Sequence, residues 1–223
     1  PSPQGGTVYD VWQQKQRHAA SSSEDAGSGE GHILTVDGVH MDDLGSGSDY
    51  TPFIQHLGVP STDIGSDGPY GVYHSAFDDY TWFTKFADPT FVYLQQQARV
   101  LGLEALTMAD ADLPPYNYQV YGGAVVGYLQ AAQQKATQAG MKELNFAPAL
   151  VAARHFRDAG AKALADEQNP SGALRRQNDI LRQAEEDLLS PKGLPNRPWY
   201  RPTIYAPGEY TGYAAVAIPG VNE

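Results

Sequence analysis

From Asp88 onward, apolar residues recur at helical spacing in stretches that proline or glycine cuts off. Nothing else in the 223 residues limits the fold so tightly. Asp88-Pro89 reads as a helix start, with Asp as the cap and Pro in the first turn, and the helix runs through Tyr93, Ala98 and Leu101 toward Leu106. Pro114-Pro115 closes that region. Val125, Leu129, Ala132 and Ala136 make the stripe of a second helix, with Gly140 as its C-terminal cap. Leu150, Ala153, Phe156, Ala163 and Leu164 mark a third that starts near Pro148, and Leu174, Leu181, Ala184 and Leu188 a fourth. Four amphipathic helices with modest loops predict a helical bundle. Between Pro191 and Pro207 lie five prolines with Trp199, Tyr200 and Tyr205. That segment is expected to be extended and held down by its aromatics, returning onto the first part of the chain.

The first 87 residues read differently. Short helices are expected at Tyr50 to Leu57 and from just past His74 to about Phe86. Gln13 to Gly31 is Gln, Ser, Gly, Ala and Glu with almost no large apolar side chain, which predicts a flexible insertion between the ordered segments Val8–Trp12 and Ile33–Val36. The fold class is thus a mixed α/β part followed by a mainly α-helical part.

Charge and composition exclude several functions. The net charge is −11, and residues 1–70 carry ten acidic residues against Lys15 and Arg17. Binding nucleic acid requires clustered Lys and Arg, so no nucleic-acid partner is expected. With no cysteine there is no disulfide framework, thiolate metal site or cysteine nucleophile. No apolar run reaches the ~18–20 residues of a membrane helix.

Candidate chemistry is sparse. His74, in Tyr73-His74-Ser75 with Asp78 and Asp79 just beyond, reads either as a zinc ligand or as a hydrogen-bonded cap at a loop–helix junction. Gly45-Ser46-Gly47-Ser48-Asp49 reads as a small-residue approach to a ligand or as a flexible lead into a helix cap. Asp42-Asp43 and Asp78-Asp79 are acid/base or metal-linked pairs, or else caps and solvated faces. Glu185-Glu186-Asp187 reads as a solvated face, and His18, His32, His40, His56 and His155 as structural or solvated. No nucleophile elbow and no complete metal site is present.

Three segments in order resemble one family. They are Leu44-Gly45-Ser46-Gly47-Ser48-Asp49-Tyr50; Tyr73-His74-Ser75 through Asp79-Tyr80; and Gly193-Leu194-Pro195-Asn196-Arg197-Pro198-Trp199-Tyr200-Arg201 leading to Ile204-Tyr205-Ala206-Pro207. Asp88-Pro89 and Ala109-Asp110-Ala111-Asp112-Leu113-Pro114 fit as well. The chain resembles the C-terminal part of the glutamate carboxypeptidase / transferrin receptor family of zinc metallopeptidases. The resemblance implies that residues 1–87 are the tail of an α/β zinc-peptidase domain, with 13–31 as its insertion. Residues 88–223 would then be a helical homodimerisation domain, cut short at its end. It also implies roles. His74 would be the last zinc ligand of a two-zinc site whose other ligands and general base lie upstream. Tyr73 would hydrogen-bond the peptide substrate or its tetrahedral intermediate. Gly47 and Ser48 would line the substrate cleft, and Tyr213 would hold the C-terminal side of the substrate. A lone His74 cannot hold catalytic zinc, so the chain by itself is expected to be inactive. Any membrane contact would come through a segment outside these residues. Where the glutamate-releasing members carry a Lys and a pair of Arg, this chain has Gly212 and, from Val59 to Tyr73, no basic residue. A receptor-like or free-standing dimerisation module that has lost the metal is the alternative.

Overall fold

The computed structural model describes residues 1–22, 35–36, 39–66, 68–168 and 173–223. The chain divides into two compact units. One comprises Pro1–Gly27 with Ile64–Ala111, the other Ser28–Asp63 with Asp112–Glu223. The boundary expected between residues 87 and 88 therefore runs inside the first unit.

The first unit opens on α1 (Val8–Ser22). This corrects the expectation of a flexible insertion for residues 13–22; the remainder of that stretch and Ile33–Leu34 lie outside the described residues. The start of the helix is fixed by a polar cap. The Thr7 N–H and hydroxyl donate to the Asp10 carboxylate (2.9 and 2.7 Å), and the Asp10 N–H donates to the Thr7 hydroxyl (3.0 Å). These bonds hold the exposed Asp10 carboxyl below its ordinary range. Gln13 and Arg17 add links one turn apart, and Gln, Lys, Arg and Ala are good helix formers.

The helix expected after His74 begins only at Tyr80. It comprises α2 (Tyr80–Trp82), capped by the Asp79 carboxylate on the Trp82 N–H (2.8 Å), and a π-helical turn Phe83–Ala87. Next comes α3 (Val92–Asp110). Asp88 does cap it, but from four residues ahead. Its buried carboxylate accepts the N–H groups of Val92, Tyr93 and Leu94 (3.0, 3.0 and 2.9 Å). No residue of α3 is buried, and Leu94, Leu101, Leu103 and Leu106 are all exposed.

In the second unit, Thr35–Val36 (β1) pairs antiparallel with Val39–His40 (β2), and a π-helical turn covers Phe53–Leu57. The core is built on α4 (Tyr118–Gln138) and α5 (Ala147–Gln168). The stripe Val125, Leu129, Ala132 and Ala136 is buried against Phe146, Leu150 and Ala153, joined by Ile204 and Ile218. A Cβ at Gly122 would stand 2.6 Å from Arg157 Cα, and one at Gly160 would collide with Tyr118, so the two helices run antiparallel in close approach. Gly140, at φ 76°, ends α4, and the Met141 N–H closes back on the Ala136 carbonyl (2.9 Å).

The fourth helix is α6 (Leu174–Glu186). It is tied to the core where the Tyr118 hydroxyl donates to the Leu181 carbonyl (2.7 Å). All four expected helices are present. The four-helix bundle is corrected to a closely packed α4–α5 pair, because α3 belongs to the first unit and its leucines do not gather into one buried stripe.

The Pro-rich segment returns as expected, onto Gln55 and His56 of the same unit. The Arg201 N–H donates to the Gln55 carbonyl (3.1 Å), and the imidazole of His56 meets the Trp199 carbonyl. It continues into β3 (Tyr205–Pro207), which pairs antiparallel with β4 (Ala215–Ala217), and the chain closes on α7 (Pro219–Asn222). Buried Arg197 binds the Pro207 carbonyl and the Glu223 carboxylate, pinning this end together.

Candidate functional site

Of the five residues singled out, the second unit brings three together. The Leu44–Ser48 loop enters the turn before the Phe53–Leu57 π-helix. There the Thr51 N–H and hydroxyl donate to the Ser48 carbonyl (3.1 and 2.8 Å). The loop lies directly on Tyr213. The Ser46 N–H donates to the Tyr213 carbonyl (2.9 Å), a Cβ at Gly47 would stand 2.8 Å from the Tyr213 ring, and one at Gly45 would collide with the Tyr213 carbonyl oxygen. Gly47 also sits at φ 105°, which side chains disfavour. The glycines are therefore required by the approach of Tyr213, some 165 residues away in sequence. Gly47, Ser48 and the Tyr213 ring remain exposed to solvent.

Two further residues shape this loop. Gln55 is completely buried, and its amide nitrogen donates to two successive carbonyls, Leu44 (2.9 Å) and Gly45 (2.8 Å). The Tyr50 hydroxyl donates to the Ser46 carbonyl (3.2 Å) and is held above the usual tyrosine range, by burial first and the Asp63 charge second. The sequence reading missed Gln55. Its signal was a lone amide inside Phe53-Ile54-Gln55-His56-Leu57, otherwise a short apolar turn.

Tyr73 and His74 lie in the first unit, in a turn closed by the Ser75 N–H on the Val72 carbonyl (2.9 Å). His74 adopts φ 61°, a left-handed conformation uncommon for a side-chain-bearing residue. Its ring stacks on Tyr73 with centroids 3.7 Å apart, and both side chains are exposed. Asp79 is taken up as the α2 cap. Among the described residues no three His, Asp or Glu groups are gathered so as to hold a metal ion. Zinc needs about four ligands, so the described residues by themselves do not fit it.

Two acidic residues are embedded in a tyrosine cluster. Asp43 accepts a hydrogen bond from the Tyr128 hydroxyl, so this carboxylate satisfies a buried phenol. Glu185 is not on a solvated face, which corrects the sequence reading. With Tyr121, Tyr205 and Leu188 it lines a small open cleft with room for about one water molecule. Burial raises its carboxyl from 4.5 to about 7, against the lowering effect of the Tyr121 hydroxyl. Burial likewise pushes Tyr121, Tyr128 and Tyr205 well above the ordinary tyrosine value.

Residues 144–223 match the transferrin receptor-like dimerisation domain. The chain is 36% identical over 181 residues to a probable glutamate carboxypeptidase, LAMP1, of Arabidopsis thaliana, covering 80% of this chain and 26% of that protein. It is 32% identical over 232 residues to a probable glutamate carboxypeptidase of Arthroderma benhamiae, covering 99% of this chain and 29% of that protein. It is 31% identical over 179 residues to the mouse aminopeptidase NAALADL1, covering 74% of this chain and 24% of that protein. The chain spans about a quarter of the length of these relatives. The resemblance carried by the Gly-Ser-Gly, Tyr-His-Ser and Gly-Leu-Pro-Asn-Arg-Pro segments thus extends along most of the sequence, and the chain belongs with the transferrin receptor-like family of which the probable glutamate carboxypeptidases are members.

Proposed function

We propose that this chain is the part of a zinc exopeptidase that supplies one wall of the substrate cleft, one metal ligand and the dimer surface. The observation that carries the reading is the interlock of Gly45–Ser48 with Tyr213. Both segments were singled out from sequence as substrate-facing, and they meet with their outer faces open to solvent. The relatives named as carboxypeptidases and an aminopeptidase support peptide hydrolysis. In this reading Gly47 and Ser48 line the cleft, the Tyr213 hydroxyl holds the C-terminal side of a peptide, and Tyr73 hydrogen-bonds the substrate beside His74. His74 contributes one imidazole to a zinc site whose remaining ligands lie outside these residues, so the 223 residues alone are inactive.

Two segments that the resemblance ties to recognition of acidic substrates carry no cation. Gly212 precedes Tyr213, and no Lys or Arg lies between Val59 and Tyr73. A bidentate clamp for an acidic side chain is therefore missing from these two segments, which speaks against a preference for acidic peptides.

The test is hydrolysis of a dipeptide panel by a full-length protein carrying this chain, alongside Tyr213→Phe. Removing one hydroxyl from a substrate contact is expected to raise KM by about fivefold to twentyfold with kcat little changed. Unchanged KM across the panel would refute the Tyr213 assignment. A wild-type protein that cleaves no peptide would favour a receptor-like dimer that has lost catalysis.

A further inference from the structure

We propose that Gln55 is the positioning residue of the cleft loop: its amide fixes Leu44 and Gly45, and through them the seating of Ser46 and Gly47 on Tyr213. The inference rests on the functional reading above and extends it to a residue that does not itself face the cleft. Three observations carry it. Gln55 has no exposed surface, and its amide nitrogen spends both hydrogens on the carbonyls of Leu44 (2.9 Å) and Gly45 (2.8 Å). The next residue along the loop donates from Ser46 N–H to the Tyr213 carbonyl (2.9 Å), so whatever holds residues 44 and 45 also aims that bond. Gln55 is itself anchored from the returning segment, where the Arg201 N–H donates to the Gln55 carbonyl (3.1 Å) and the Arg201 guanidinium donates to the His56 carbonyl (3.2 Å). One residue thus holds the loop at residues 44 and 45 by its side chain and the returning segment at Arg201 by its backbone carbonyl.

The chemistry of the bond supplies the test. Methionine at this position keeps the volume and removes both donors. Glutamate keeps the shape but faces two carbonyl oxygens with an acceptor; when protonated it regains one donor. In a full-length protein carrying this chain, Gln55→Met is expected to raise KM for a dipeptide about tenfold, with kcat within about twofold and dimer content unchanged. Gln55→Glu is expected to show the same loss at neutral pH, with its KM ratio to wild type falling as pH is lowered. Unchanged KM in both variants, or kcat and KM lost together with melting temperature, would overturn the proposal.

A second measurement does not depend on activity. In the 223-residue chain, amide hydrogen exchange at Ser46 is expected to speed up about tenfold in Gln55→Met, while amides of the core helix at Leu129 and Ala132 keep their protection. Equal acceleration at all three would make Gln55 an ordinary core residue and refute the positioning role. If the wild-type protein hydrolyses nothing, the peptidase reading fails, and Ser46 exchange still decides whether Gln55 sets the loop.

Discussion

At the residue scale the candidate site is a matter of close approach. Glycines at 45 and 47 exist because the backbone and ring of Tyr213 occupy the space a Cβ would take. Gly45→Ala sets a methyl against a carbonyl oxygen, a contact that only backbone movement can relieve. A loss of about 2 kcal/mol or more is expected, since overpacking a fixed neighbour typically costs 1–3 kcal/mol. Urea denaturation of the chain checks it; a midpoint equal to wild type would show that the loop can leave Tyr213 at no cost. The Gly-Ser-Gly segment was visible in the sequence as a loop of small residues, but its partner was not. Residues 45 and 213 are brought together only by the return of the Pro-rich segment, and no local pattern encodes that pairing. Gln55 stayed hidden for a related reason. Its donors serve carbonyls ten and eleven residues away, and a carbonyl leaves no signature in a sequence. His74 was legible as a residue type at a turn, whereas its left-handed backbone was not.

At the scale of elements, helical periodicity located the helices well wherever an apolar stripe was buried. The α4 stripe is the clearest case. Periodicity was silent on α1, whose start is capped by Thr7 and Asp10, so a run of Gln, Lys, Arg and Ala passed for a loop. It also misjudged the end of α6. Three consecutive acidic residues read as a solvated face, yet the first turns its carboxyl toward the Tyr121 hydroxyl and lines a cleft with Tyr121 and Tyr205. That inward carboxyl has a thermodynamic consequence. Its value is raised from 4.5 in the unfolded chain to about 7 in the fold. The folded state therefore holds a proton that the unfolded state releases. Stability from this group is fully present below about pH 4.5 and is lost as pH rises toward 7. The change is expected to reach at most about 3 kcal/mol, at 1.36 kcal/mol per unit. Glu185→Gln should flatten the pH dependence of the melting temperature between pH 4.5 and 7.5. An identical slope in the variant would show that Glu185 is solvated after all.

At the scale of the molecule, the chain divides into two compact units. Its division at residues 63–64 and 111–112 differs from the boundary that the resemblance implies. The resemblance itself was legible because several short segments occur in a fixed order, and the matched dimerisation domain at residues 144–223 bears it out. The metal site was legible only as one residue. A chain that spans about a quarter of its relatives' length carries one imidazole of the proposed set, and among the described residues there is no cluster to complete it.

The most direct measurement is bound zinc, read together with peptide hydrolysis, in a full-length protein carrying this chain and in its His74→Ala variant. The expected result is stoichiometric zinc and hydrolysis in the wild type, loss of both by at least about a hundredfold in the variant, and an intact dimer in each. A variant that keeps its zinc and its full activity would contradict the assignment of His74 and with it the placing of this chain at a metal-dependent cleft.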